Sequence, residues 1–228
     1  MGTHLVTGAG SGMGAVLAER LLERGDSLVL LARSAERAHD LRADLPDATV
    51  LVADLADPAA VEAVADSLPE TLDSVVHVAG VVDLGRLYEQ ATEAWQTQLT
   101  VNLLGPAVLT RLCLPALRAA RGTVVFVNSS AGLVANPHWS AYAASKFGLR
   151  ALADSLRAEE QEHGVRVTTV YPGRTATPMQ QKVHAQEGKD YDASDWIDPG
   201  TVAGAILHVL DLPGDATVTD LTIRPRLP

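Results

Sequence analysis

Short apolar runs rich in β-branched residues recur along the chain, separated by longer stretches whose apolar positions repeat at intervals of three and four. The runs are His4 to Thr7, Ser27 to Ala32, Thr49 to Val52, Ser74 to Val78, Thr123 to Val127, Val165 to Tyr171 and Thr217 to Ile223. Each predicts a strand. Several, Val124-Val125-Phe126-Val127 among them, are apolar at every position, as expected of strands covered on both faces in a parallel sheet. Helices are expected between them. Met13, Leu17 and Leu21 form one apolar stripe, and Asp57-Pro58 and Asp198-Pro199 each read as an N-cap followed by proline at the first helical position. This alternation predicts an α/β fold: a Rossmann-type doubly wound three-layer sandwich around a seven-stranded, mainly parallel sheet. Ligands are expected at the carboxyl ends of the strands.

Length and charge narrow the picture. The 228 residues fit one domain, 1–228, and no linker-like or repeated segment divides them. A net charge of -10 with scattered basic residues disfavours nucleic acid as a partner and favours small-molecule chemistry. The single cysteine, Cys113, lies in an apolar run and reads as a small buried hydrophobe. The seven histidines show no metal-ligand spacing, so no metal is expected. The first residues run directly into a strand pattern without the features of a secretory leader, so a cytoplasmic location without membrane association is expected.

Gly8, Gly12 and Gly14 follow an apolar strand and open an amphipathic helix, the context of a dinucleotide-binding turn. Gly8 is expected to permit the tight turn, Gly12 the approach of a pyrophosphate to the helix N-terminus, and Gly14 close helix-sheet packing. The second strand ends in Ala32-Arg33-Ser34 and carries no carboxylate for a ribose 2'-hydroxyl. Arg33, with Ser34 and Arg37 as helpers, suits a 2'-phosphate. NADP(H) is therefore favoured, with NAD(H) as the alternative. Tyr142 and Lys146 stand four apart, on one helix face. A phenol beside a fixed cation forms an acid/base device, the cation favouring the phenolate.

These motifs resemble the short-chain dehydrogenase/reductase family in its compact form. Thr7-Gly8-x-x-x-Gly12-x-Gly14 is similar to its signature turn, which includes Ser11 and Met13, and Asp54-Leu55 to its adenine-contacting pair. Ala79-Gly80 closes the fourth strand, and Asn102 matches the family's catalytic asparagine. Ser129 lies thirteen residues before Tyr142, and Pro172-Gly173-Arg174-Thr175-Ala176-Thr177 is similar to the family's nicotinamide loop. One departure is His77-Val78 where the family often has two asparagines.

The resemblance implies an oxidoreductase interconverting a carbonyl compound and its alcohol. Tyr142 would exchange the proton, Lys146 lower the phenol pKa and bind the nicotinamide ribose, and Ser129 hold the carbonyl oxygen. Asn102 would anchor a water leading to Lys146. Thr175 and Thr177 would fix carboxamide and diphosphate. Substrate specificity is expected from Leu133 to Trp139, from the loop after Gly80, and from a segment carrying Met179, Tyr191 and Trp196. A homodimer or homotetramer is implied. The alternatives are a β-ketoacyl carrier-protein reductase, recognised through a basic patch at Arg174 and Lys182, and a non-catalytic NADPH-sensing module. A sugar-nucleotide epimerase or dehydratase would need a larger substrate region.

Overall fold

The computed structural model describes residues 1–226. Its strands are β1 (Thr3–Thr7), β2 (Ser27–Ala32), β3 (Thr49–Val52), β4 (Ser74–His77), β5 (Thr123–Val127), β6 (Arg166–Pro172) and β7 (Asp220–Ile223). They form one seven-stranded sheet in the order β3-β2-β1-β4-β5-β6-β7. Every neighbouring pair is parallel, so the sheet is wholly rather than mainly parallel. The helices are α1 (Gly12–Glu23), α2 (Ala35–Asp44), α3 (Pro58–Glu62), α4 (Thr92–Leu99), α5 (Gly105–Ala120), α6 (Ser140–Glu159), α7 (Pro178–Glu187) and α8 (Pro199–Leu210). The chain winds outward through β2 to β3 and returns to the other side of β1 as β4. At that reversal a doubly wound sheet opens a crevice.

The apolar runs are explained by their two faces. Val6, Leu30, Val76 and Val125 bury with Leu17 and Leu21 of α1, Leu41 of α2 and Ile206 of α8. Their sequence neighbours Leu5, Leu31, Val75 and Val124 bury on the other side with Leu109 and Leu117 of α5 and Leu149 of α6. Successive strand side chains point to opposite faces, so a sheet covered on both sides needs an apolar residue at each position. Asp57 and Asp198 cap α3 and α8, accepting from Ala59 N at 3.0 Å and Gly200 N at 2.7 Å.

Five strand ends differ from the sequence expectation: β1 starts one residue earlier, at Thr3, β6 is shifted one residue later at both ends, and the end of β4 and the start of β7 move for identifiable reasons. β4 stops at His77 because the Val78 and Ala79 N–H groups donate to the Thr7 hydroxyl, each at 3.2 Å. β7 starts at Asp220 rather than Thr217 because the approach to β6 is made partly through a side chain, Thr168 Oγ1 donating to Val218 O at 2.6 Å. α4 and α5 are joined by a π-helical turn at Thr100–Leu104. The resulting helical run, Thr92–Ala120, is long and apolar enough to cross a membrane by length and composition. It nevertheless buries Leu109, Cys113 and Leu117 against the sheet, as a core helix does.

His77 shows how thoroughly the sheet is closed to water. Its ring stacks on Phe126 of the neighbouring strand, centroids 5.0 Å apart, and its Nε2 meets Thr110 Oγ1 at 2.8 Å. Burial pushes its pKa from the ordinary 6.5 down to about 3. The folded state refuses a proton that the unfolded chain accepts, so this contribution to stability is complete above the unfolded value and is lost as pH falls. The slope is at most about 1.4 kcal/mol per pH unit for one site. The urea midpoint should decline between pH 7 and pH 5, and His77→Phe should decline more shallowly by one proton. Equal slopes in the two proteins would remove His77 as the cause.

Candidate active site

The turn from β1 into α1 is shaped by its glycines. Gly8 (φ 75°) and Gly12 (φ 55°) occupy the left-handed region, which side chains rarely adopt. A Cβ on Gly14 would collide with the Gly8 carbonyl oxygen. Gly14 therefore lets α1 lie close against the backbone at the end of β1, as the sequence reading expects of it. Ser11 is the N-cap of α1 but makes no side-chain cap, and no acidic residue stands in the first turn. The leading N–H groups and the positive end of the helix dipole are left to face an anion.

These groups border a cavity of about 440 Å³ that also takes in Met13, Arg33, Arg37, Asp54, Leu55, Ala79 and Gly80. Arg33 lies exposed at its edge. Arg37 reaches across to Gly10 O at 3.2 Å while pairing with Asp40 at 3.0 Å. Ser34 is not part of the wall: its hydroxyl caps α2, accepting from Arg37 N at 3.2 Å. Open N–H groups, side-chain-free backbone and two guanidinium groups form a donor set that fits the phosphates of a dinucleotide.

A second cavity, about 340 Å³, meets the first at Met13, Val78, Gly80, Thr177 and Met179. Ser129, Tyr142, Lys146, Pro172, Gly173 and Thr175 lie along it. Tyr142 and Lys146 sit one turn apart on α6. Lys146 Nζ donates to Val127 O at 3.1 Å and lies 5.8 Å from the Tyr142 ring centre. Trp139 packs against the phenol ring edge-on at 5.7 Å. Burial pushes the Tyr142 pKa up, and the Ser129 hydroxyl pulls it partly back. Lys146 is also buried, and its pKa falls to about 8. The expected lowering of the phenol by Lys146 is not seen: burial raises the Tyr142 pKa, and the only group that offsets it is the Ser129 hydroxyl.

Asn102 stands in the π turn, its amide bonded at both ends. Oδ1 accepts from Val81 N at 2.8 Å, while Nδ2 donates to Val81 O at 2.9 Å and to Ser145 Oγ at 3.0 Å. Ser145 in turn donates to Tyr142 O at 2.7 Å. Asn128 accepts from Ser129 N at 2.8 Å and donates to Lys146 O at 3.0 Å. The sequence reading missed Ser145 and Asn128 as supports. Ser145 was detectable, three residues after Tyr142 on the same helix face. In place of the family's asparagine pair, His77 with Thr110 and the Thr7 hydroxyl bonds organise the end of β4.

The nicotinamide loop holds itself together. Thr175 Oγ1 donates to Gly173 O at 3.1 Å and Thr177 Oγ1 to Thr175 O at 3.2 Å, while Thr177 also caps α7. Beyond it the cavity wall combines apolar Val82, Trp139, Met179 and Val183 with uncharged polar Asn136 and Gln180 and the charged pair Arg174 and Glu187. Of the segment from Leu133 to Trp139, Asn136 and Trp139 reach this wall, whereas Val134 is exposed. Tyr191 and Trp196 do not line it, a second correction. Both rings pack on His184, at 5.3 and 5.2 Å. The expected basic patch is also absent as free charge: Arg174 pairs with Glu187 at 2.7 Å, and Lys182 lies 3.9 Å from Asp83.

The short chain dehydrogenase family model matches residues 3–188. An uncharacterized oxidoreductase of Staphylococcus epidermidis is 30% identical over 227 residues, covering 97% of this chain and 96% of the relative. Among solved structures, an alcohol dehydrogenase from the archaeon Thermococcus sibiricus complexed with 5-hydroxy-NADP is 27% identical, with a TM-score of 0.87 over 100% of this chain and 99% of that one. An actinorhodin polyketide ketoreductase variant with NADPH is 25% identical, with a TM-score of 0.88, covering 98% of this chain and 96% of that one.

Because a methyl group at Gly14 has backbone on its far side, Gly14→Ala should open the turn. The expected outcome is a loss of about 1–3 kcal/mol in denaturant stability together with at least tenfold weaker nicotinamide nucleotide binding by titration calorimetry. Unchanged binding would show that the turn does not carry the phosphates.

Proposed function

This chain belongs to the short-chain dehydrogenase/reductase family, and we propose that within it the protein is an NADP(H)-dependent enzyme interconverting a small carbonyl compound and its alcohol. One observation carries the reading: Tyr142 and Lys146, both buried, stand at the floor of a cleft that runs without a break into the glycine cradle. NADP(H) is preferred over NAD(H) because Arg33 and Arg37 flank the cavity beyond the second strand, where no carboxylate is available for a 2'-hydroxyl. Neighbours solved with 5-hydroxy-NADP and NADPH support the same choice.

When bound, the nicotinamide supplies or takes up the hydride. The remaining chemistry belongs to the chain. Ser129 holds the carbonyl oxygen near the phenol, and Tyr142, kept protonated by burial, donates to that oxygen. Lys146 stabilises the negative charge that then develops on Tyr142 and offers Nζ to a ribose hydroxyl. Asn102, whose Nδ2 hydrogens are committed to Val81 and Ser145, would anchor the water leading to Lys146 from the π turn. Thr175 and Thr177 fix the carboxamide and diphosphate.

The substrate is uncharged, in keeping with the paired Arg174 and Lys182, which leave no free charge of their own to meet an ionic substrate there. That pairing also weighs against an acidic carrier protein. Assembly as a homodimer or homotetramer uses the outer surfaces of α5 and α6, where Leu104, at the end of the π turn that leads into α5, and Phe147 of α6 are 47% and 41% exposed.

Tyr142→Phe should reduce kcat by about 10²–10⁴-fold while leaving NADPH affinity within a factor of a few. Residual turnover near wild type would remove Tyr142 from the proton transfer. Arg33→Ala should weaken NADPH by about 10–100-fold with little change for NADH, and equal losses for both nucleotides would overturn the 2'-phosphate assignment. Lys146 is charged below its pKa of about 8 and neutral above it. Reductive kcat/KM should therefore fall as pH rises through that value, and a profile flat to pH 10 would show that the charge on Lys146 does not matter.

A further inference from the structure

α7 turns Gln180, Val183 and Glu187 toward the substrate cavity. Two of these have evident partners. Val183 belongs to an apolar cluster with Val82, Ala131 and Tyr142, and Glu187 is held by both oxygens on Arg174. Gln180 is different. It is only 8% exposed, and its Nε2 meets Nδ1 of His184 at 2.9 Å. Its Oε1 takes no protein donor among the described residues, yet it is not sealed from the cavity that Gln180 lines. An amide oxygen that stays open to the cavity and has no protein donor is free to accept a hydrogen bond from a ligand.

The orientation of the amide is set from behind. His184 is 3% exposed, and the rings of Tyr191 and Trp196 pack against it. Its Nδ1 also lies 2.9 Å from the main-chain oxygen of Gln180. That oxygen has the helical ladder as its ordinary partner, whereas the side-chain amide has no other acceptor. Nδ1 therefore serves as the acceptor for Nε2, which leaves the oxygen end of the amide toward the cavity.

We propose that Gln180 is a specificity-determining residue that accepts a hydrogen bond from a hydroxyl or N–H group on the substrate, and that His184 is its positioning residue. The inference rests on the reductase reading above and narrows it. The preferred substrate is a carbonyl compound with an apolar body and a hydrogen-bond donor near the reacting carbon, such as a hydroxy ketone. A second carbonyl in that place would set an acceptor against an acceptor.

The test uses pairs of ketones that differ by hydroxyl against methyl: hydroxyacetone with butanone, and 2-hydroxyacetophenone with propiophenone. For each pair the ratio of kcat/KM values with NADPH is measured in the wild type, in Gln180→Leu and in His184→Phe. The wild type should favour the hydroxy member by about 10–100-fold, and Gln180→Leu should lose most of that preference. His184→Phe keeps an aromatic ring against Tyr191 and Trp196 but lacks Nδ1, and should lower the same ratio. A wild-type ratio near one in both pairs, or a preference that survives Gln180→Leu, overturns the assignment of Gln180. A lower melting temperature in His184→Phe with an unchanged ratio overturns the positioning role of His184. Failure of the underlying reading looks different: folded, NADPH-binding wild type that turns over neither member of either pair removes the reductase and this inference together.

Discussion

A parallel sheet buried on both faces leaves main-chain groups without ladder partners where its strands end, and buried polar groups must find partners. In this chain, the groups that satisfy the carboxyl ends are those of the active site or their immediate supports. The Thr7 hydroxyl takes the N–H groups of Val78 and Ala79. Asn102 engages both main-chain groups of Val81, Lys146 donates to Val127 O, and Asn128 ties Ser129 N to the main chain of α6. Site geometry and strand-end integrity are therefore one network. Substituting Asn102 or Lys146 disturbs folding and chemistry together, whereas the Tyr142 phenol closes no strand end and is the cleaner probe of the reaction.

The same burial governs the electrostatics. Both members of the acid/base pair are pushed toward their neutral forms, Tyr142 upward and Lys146 downward. This is the direction expected when desolvation dominates. The phenol thus rests as an acid, suited to donating a proton to a developing alkoxide. Around it the charged side chains are matched, Arg174 by Glu187 and Lys182 by Asp83. The net charge of -10 consequently belongs to the outer surface rather than to the cleft interior.

The features legible in the sequence are those fixed by local spacing. Alternation of runs and stripes located the strands, glycine intervals located the cradle, and the four-residue separation of Tyr142 and Lys146 placed both on one helix face. Ser129 and Asn102 needed the family resemblance, because isolated hydroxyl and amide residues carry no periodic signal. Contacts between distant segments stayed hidden. Thr7 ends β4 from 71 residues away, and Arg174 is neutralised from a helix end 13 residues on. The direction of the Tyr142 shift depends on how much water the fold excludes. Gln180 and His184 have helical spacing, but only the contact of Gln180 Nε2 with His184 Nδ1 shows which end of the amide is held.

α7 is secured at points separate from the apolar side chains it contributes to the cleft. Thr177 caps its start, Arg174 grips Glu187 at its end, and the rings of Tyr191 and Trp196 brace it at His184. Met179 and Val183, which meet the cavity, take no part in these anchors. Exchange of either for another apolar residue reshapes the wall while the fastenings and the sheet stay in place. In a lineage, substrate preference can drift at these two positions under little selection from folding, so closely related chains of equal stability can come to act on different compounds.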